Sequence, residues 1–183
     1  FGQTAPSEFR NKVMEVLRSP ADRIILDLRN NPGGYLEVSQ DLTGWFVEAG
    51  SVVAIEDFGD GTEPKEYRSS GNSVLKGMPL VVLINEGSAS ASEIMAGALR
   101  DLRGVKLIGA KSYGKGSVQE LTNLREGTSL KVTIAKWLTP SKKSIMNEGL
   151  EPDIKVEVTK EDIENMKDPQ LEKAIQTVSS LNK

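Results

Sequence analysis

The stretch LVVLINEGSASASEIMAGALR, Leu80 to Arg100, decides the fold. Its first five residues, Leu80 to Ile84, form an unbroken apolar run that reads as a buried strand. From Ser92 to Leu102, Ile94, Met95, Ala98, Leu99 and Leu102 recur at helical spacing and define one apolar face. Between them NEGSAS makes a sharp loop, so the unit is strand, loop, helix. Upstream the same unit recurs. RIILDL, Arg23 to Leu28, reads as a strand, RNNPGG, Arg29 to Gly34, as a turn, and Leu36, Leu42, Trp45, Phe46 and Val47 as the apolar side of an amphipathic segment. Successive units of this kind predict an α/β fold with a largely parallel sheet covered by helices.

The remaining segments fit around that core. Ser7 is expected to cap a first helix carrying Phe9, Val13, Val16 and Leu17, with Pro20 closing it. Val52 to Ile55 reads as a strand. The polar excursion from Phe58 to Ser73 reads as a surface hairpin or lid with an edge strand near Glu66 to Arg68. Val105 to Ile108, Val118 to Leu124 and Leu130 to Trp137 read as strands, the last two as a small β-rich portion. GLEPD, Gly149 to Asp153, is a turn. Asp168-Pro169 opens a final helix with Leu171, Ala174, Ile175, Val178 and Leu181 on one face. The 183 residues suit one domain, with no internal repeat or linker. Opening at Phe1 predicts a fragment or processed product.

Composition then excludes chemistry. The chain has neither cysteine nor histidine, which removes the usual zinc ligands, a cysteine nucleophile and a Ser-His-Asp triad. A base near neutral pH must be a carboxylate or a lysine of depressed pKa. A net charge of -3 argues against nucleic acid, and no apolar run reaches the length of a membrane span. No cofactor or metal is expected.

Three loops could carry a reaction. In NEGSASASEI, Ser88, Ser90 and Ser92 precede a helix, where free N-H groups favour developing negative charge. On this stretch alone, Ser90 or Ser92 with Glu93 fits a helix cap better than a nucleophile. In IGAKSYGKGSVQE, Ile108 to Glu120, the pattern from Gly109 to Lys115 invites a phosphate-loop reading. Gly116 stands where Ser or Thr would bind magnesium, however, and a strand follows in place of a helix. The other readings are a Lys115 aimed into a site by Gly114 and Gly116, with Gln119 orienting its amine across a kink, or a solvated turn lysine. In DLRNNPGG, Asp27 to Gly34, the paired glycines either make a tight turn or expose a backbone N-H that joins Ala91 N-H in an oxyanion hole.

Taken together and in this order, LDLRNNPGG, GSASASEI and YGKG with a glutamine four residues past its lysine resemble the carboxy-terminal processing, or tail-specific, proteases, a family of Ser-Lys peptidases. The likeness runs from about Arg23 to Asp153. It implies Ser90 as nucleophile, Lys115, 25 positions on, as general base, and Gln119 as the group that orients the lysine. Ala91 and either Gly33 or Gly34 would supply the oxyanion hole. The resemblance also implies a crotonase/ClpP-like core and a protein or peptide substrate with an unstructured C-terminus. Further expectations are an adaptor or a second copy as partner, and an extracytoplasmic place, in the bacterial periplasm or envelope or an organelle lumen. The N-terminal segment and PDZ domain of the family are not visible in the chain. Two rival readings are a non-catalytic or assembly-dependent binding module and a crotonase-like acyl-CoA enzyme.

Overall fold

The computed structural model describes residues 1–124 and 127–182. In chain order these form α1 (Ala5–Arg18), β1 (Ile24–Asp27), α2 (Leu36–Thr43), β2 (Val52–Asp57), β3 (Lys65–Arg68), β4 (Leu80–Ile84), α3 (Ala91–Arg103), β5 (Lys106–Gly109), β6 (Ser117–Asn123), β7 (Ser129–Leu138), β8 (Ile154–Lys155), α4 (Lys160–Glu164) and α5 (Pro169–Ser180). They build two four-stranded sheets. One has the order β1-β4-β5-β8 and is parallel throughout; the other, β3-β2-β7-β6, is antiparallel.

The unbroken apolar run of β4 follows from burial on both faces, as in parallel sheets generally. Leu80, Val82 and Ile84 join the main core with Ile94, Met95, Leu99 and Phe46. Val81 and Leu83 face the other way, onto Ile108, Ala174 and Val178. Each such side chain, withdrawn from water, contributes about 1.5–3 kcal/mol. The expected parallel sheet is therefore present, but β2 is not part of it. β2 pairs antiparallel with β7 and β3, so the β-rich portion has as many strands as the parallel layer. The expected edge strand in the polar excursion is β3.

Other details depart from the expectation. Thr4, not Ser7, is the N-cap of α1, because Pro6 suits the first helical turn and puts Ser7 inside it; the Ser7 hydroxyl donates to Thr4 O at 2.8 Å. The buried face of α5 is Gln170, Ala174 and Val178, spaced four apart, leaving Leu171 and Ile175 exposed. α4 and β8 have no counterpart among the segments expected from sequence. No described helix is long and apolar enough to cross a membrane.

Candidate active site

Ser90 ends the β4-α3 loop as the N-cap of α3, with φ 57° and ψ -119°. A non-glycine residue in that region costs about 1–3 kcal/mol and persists only where its surroundings impose it. Here they do. The Ser88 hydroxyl, fully buried, donates to Leu28 O at 2.8 Å and accepts Asn85 N-H at 3.0 Å. The Ser92 hydroxyl donates to Asn31 O at 2.9 Å, and Ala89 N-H reaches the same carbonyl at 3.0 Å. The outer serines are thus structural ties between the β1 and β4 loops. The middle one, Ser90, sits on the bend in a capping box with Glu93.

The centre of the arrangement is Glu93, three residues past Ser90 and 0% exposed. One carboxylate oxygen accepts Ser90 N-H at 2.9 Å and Lys115 N-H at 2.9 Å. The other accepts the Ser112 hydroxyl at 2.5 Å and Gly114 N-H at 2.7 Å. Among the described residues, four donors thus share its two oxygens. The capping reading of Glu93 holds for its bond to Ser90 N-H, but the same group also fastens the Lys115 loop to the Ser90 bend. Glutamate at capping-box spacing was the one local signal; its contacts with Ser112, Gly114 and Lys115 span 19 to 22 residues and left no trace in sequence.

The Lys115 loop is held from its far side too. Ser112 accepts Leu150 N-H at 2.7 Å, and Asn147 N-H donates to Gly114 O at 3.0 Å. A Cβ on Gly116 would lie 2.1 Å from Met146 N, so only glycine permits this approach. The β6-β7 pairing shifts register between Val118 and Gln119, beside the loop. Lys115 and Gln119 both line a cleft of about 380 Å³ with Pro32, Ala89 and Tyr113. Lys115 is exposed, and among the described residues no hydrogen bond joins the Ser90 hydroxyl, the Lys115 ammonium and the Gln119 amide. General-base chemistry at this lysine calls for a cover that excludes solvent.

The two glycines of the first loop have different surroundings. Gly33, φ +94°, lies against the bend: a Cβ there would stand 2.5 Å from Ala89 O, 2.8 Å from Ala91 N and 2.8 Å from Ser90 Cβ. Its own N-H donates to Asn31 Oδ1 at 3.0 Å, and its carbonyl accepts the Phe1 amino group at 3.1 Å. Gly34, φ +151°, lies against Phe1. Ala91 N-H belongs to the first turn of α3, where N-H groups have no intrahelical partner. Gly33→Ala should therefore push the loop off the bend and lower any activity of the site by about a hundredfold. Gly61→Ala, at φ +89° with open space around it, strains the backbone alike and should leave activity unchanged. Parallel rate measurements on the two variants check this.

Comparison with known proteins agrees with this architecture. The family model described as Peptidase family S41 matches residues 1–156. A "Probable CtpA-like serine protease" of Staphylococcus haemolyticus (strain JCSC1435) is 36% identical over 156 residues, which is 85% of this chain and 32% of that protein. A Staphylococcus aureus (strain COL) protein of the same description is 36% identical over 160 residues, 87% of this chain and again 32% of its own length. The chain thus spans about a third of the length of these curated relatives. Among solved structures, a photosystem II D1 C-terminal processing protease superposes with a TM-score of 0.79 at 31% identity, over 86% of this chain and 40% of that one. A lipoprotein from Streptococcus agalactiae shares the fold, with a TM-score of 0.72 at 18% identity over 98% of this chain and 62% of its own.

Proposed function

The chain belongs to peptidase family S41, and from that premise we propose that it is the core of a serine endopeptidase working through Ser90 and Lys115. The observation that carries the reading is Glu93, one buried carboxylate bonded to the backbone of both residues. In the mechanism, the Ser90 hydroxyl attacks the scissile carbonyl while neutral Lys115 takes its proton. The lysine then passes that proton to the leaving amine, and water hydrolyses the acyl-enzyme. Gln119, beside Lys115 in the cleft, would orient the amine.

Ala91 N-H and a glycine N-H would hold the oxyanion. Gly34 is the better second donor. The Gly33 N-H is engaged by Asn31, and the Gly33 carbonyl turns to Phe1. In a trans peptide the N-H points opposite the C=O, so the Gly34 N-H is directed away from Phe1. Gly33 then serves by lacking a side chain where the loops meet.

The exposure of Lys115 favours one form of this reading, in which the site is completed by bound substrate or by another part of the protein. An unstructured polypeptide laid along the cleft would supply such a cover. A protein substrate chosen by its C-terminal region, a single protease core over residues 1–183, an adaptor or second copy as partner and an extracytoplasmic setting follow from the family resemblance and belong to the same proposal.

Cleavage of casein by this chain, followed on a gel beside its Ser90→Ala variant, tests it. Loss of casein only with the unaltered chain is the expected result. Equal cleavage by both would remove Ser90 from the mechanism. No cleavage by either would replace the self-sufficient protease with an assembly-dependent or non-catalytic core.

A further inference from the structure

Helix α5 lies past residue 156, where the family match ends, yet both of its ends are held by the strand that leads into the site. Two arginines bracket β1. Arg23, just before it, donates from Nη1 to the carbonyls of Val178 at 2.9 Å, Ser179 at 3.2 Å and Leu181 at 2.8 Å, at the C-terminal end of α5. Arg29, two residues beyond β1, grips the other end. Its Nη1 and Nη2 each donate to one carboxylate oxygen of Asp168 at 2.8 Å, and Nη1 also reaches Gln170 Oε1 at 3.2 Å. Asp168 is the N-cap of α5 and accepts Leu171 N-H at 2.9 Å.

The rest of the guanidinium is also committed. Nε donates to Asp27 Oδ1 at 3.0 Å and Nη2 to Asp27 Oδ2 at 2.7 Å, so all five N-H donors of Arg29 have carboxylate or amide partners. Its side chain is only 16% exposed. Chiefly through its hydrogen bond, Arg29 holds the Asp168 carboxyl below the ordinary carboxylate range, and the pair is charged at neutral pH. A bidentate, charge-assisted pair of this kind fixes geometry as well as adding energy.

What surrounds Arg29 in sequence gives the pair its meaning. Leu28 O accepts the Ser88 hydroxyl, Asn30 N-H donates to Asn85 Oδ1 at 2.8 Å, and Asn31 O accepts Ala89 N-H and the Ser92 hydroxyl. Positions 28, 30 and 31 are thus tied to the loop that carries Ser90, and position 29 is tied to α5. We infer that α5 is a positioning element of the active site, Asp168 acting through Arg29 to hold residues 28–34 where they meet Ser90. The effect on turnover rests on the Ser-Lys reading given above; the effect on the loop does not.

Asp168→Asn sets an amide N-H against the Arg29 donors. Its expected result is a kcat lower by about tenfold or more with little change in KM, and faster hydrogen exchange of the amides in 29–34. Arg23→Gln loosens the opposite end of the same helix, far from Ser90. It should lower Tm comparably while leaving kcat and the exchange of 29–34 as they were. If the two variants lose activity only in step with Tm, or if Asp168→Asn leaves the 29–34 amides as protected as before, the inference is wrong. Faster exchange of those amides in a protein that cleaves nothing would uphold the coupling and overturn the self-sufficient protease instead.

Discussion

Lys115→Ala should abolish cleavage as completely as Ser90→Ala, a fall of about a thousandfold or more, and the double variant should be no slower than either single one. A serine hydroxyl is a poor nucleophile until a neighbouring base accepts its proton, and the chain contains no histidine to do so. Lys115 lies in the loop that Glu93 joins to Ser90, and it shares its cleft with Gln119. Lys115→Arg should fail as well, because a guanidinium does not give up its proton in a protein and cannot act as the base. Initial rates on an unstructured protein substrate measure all of these. Activity of Lys115→Ala above about a tenth of the unaltered rate would rule out the base assignment.

Glu93→Gln should damage the site and the fold together. Each carboxylate oxygen accepts two donors, and an amide offers only one acceptor atom. Whichever way the amide turns, its NH2 group meets either Ser90 N-H and Lys115 N-H or Gly114 N-H and the Ser112 hydroxyl. Ser112 is already accepting Leu150 N-H and has little freedom to respond. Leaving two buried donors unsatisfied should cost about 2–4 kcal/mol, a fall in Tm of roughly 5–15 °C for a chain of this size. Because the strained backbone at Ser90 persists only while its surroundings impose it, cleavage should fall further than stability alone explains. Thermal melts and rates measured well below the melting range separate the two effects. A variant that melts and cleaves like the unaltered protein would contradict the role assigned to Glu93.

Much of this was legible in the chain itself. The apolar run Leu80 to Ile84 and the helical spacing after Ser92 identify β4 and α3, and the three loops announce themselves by glycine, serine and asparagine at strand ends. Local signals suffice there because periodicity and turn chemistry are properties of neighbours in sequence. They cannot say which strand pairs with which, since any apolar strand satisfies its backbone with any partner. Only the tertiary structure separates β2 from the parallel sheet and makes it the partner of β7. The same limit applies at the site. Ser90, Lys115 and Gln119 are recognisable as a motif, but Glu93 resembles an ordinary cap until folding carries Gly114 and Lys115 to its carboxylate. Asp168 likewise resembles only the start of a last helix until Arg29, 139 residues earlier, closes on it. A buried charge must find its partners in three dimensions, and the free energy of those contacts depends on distances that no local pattern encodes.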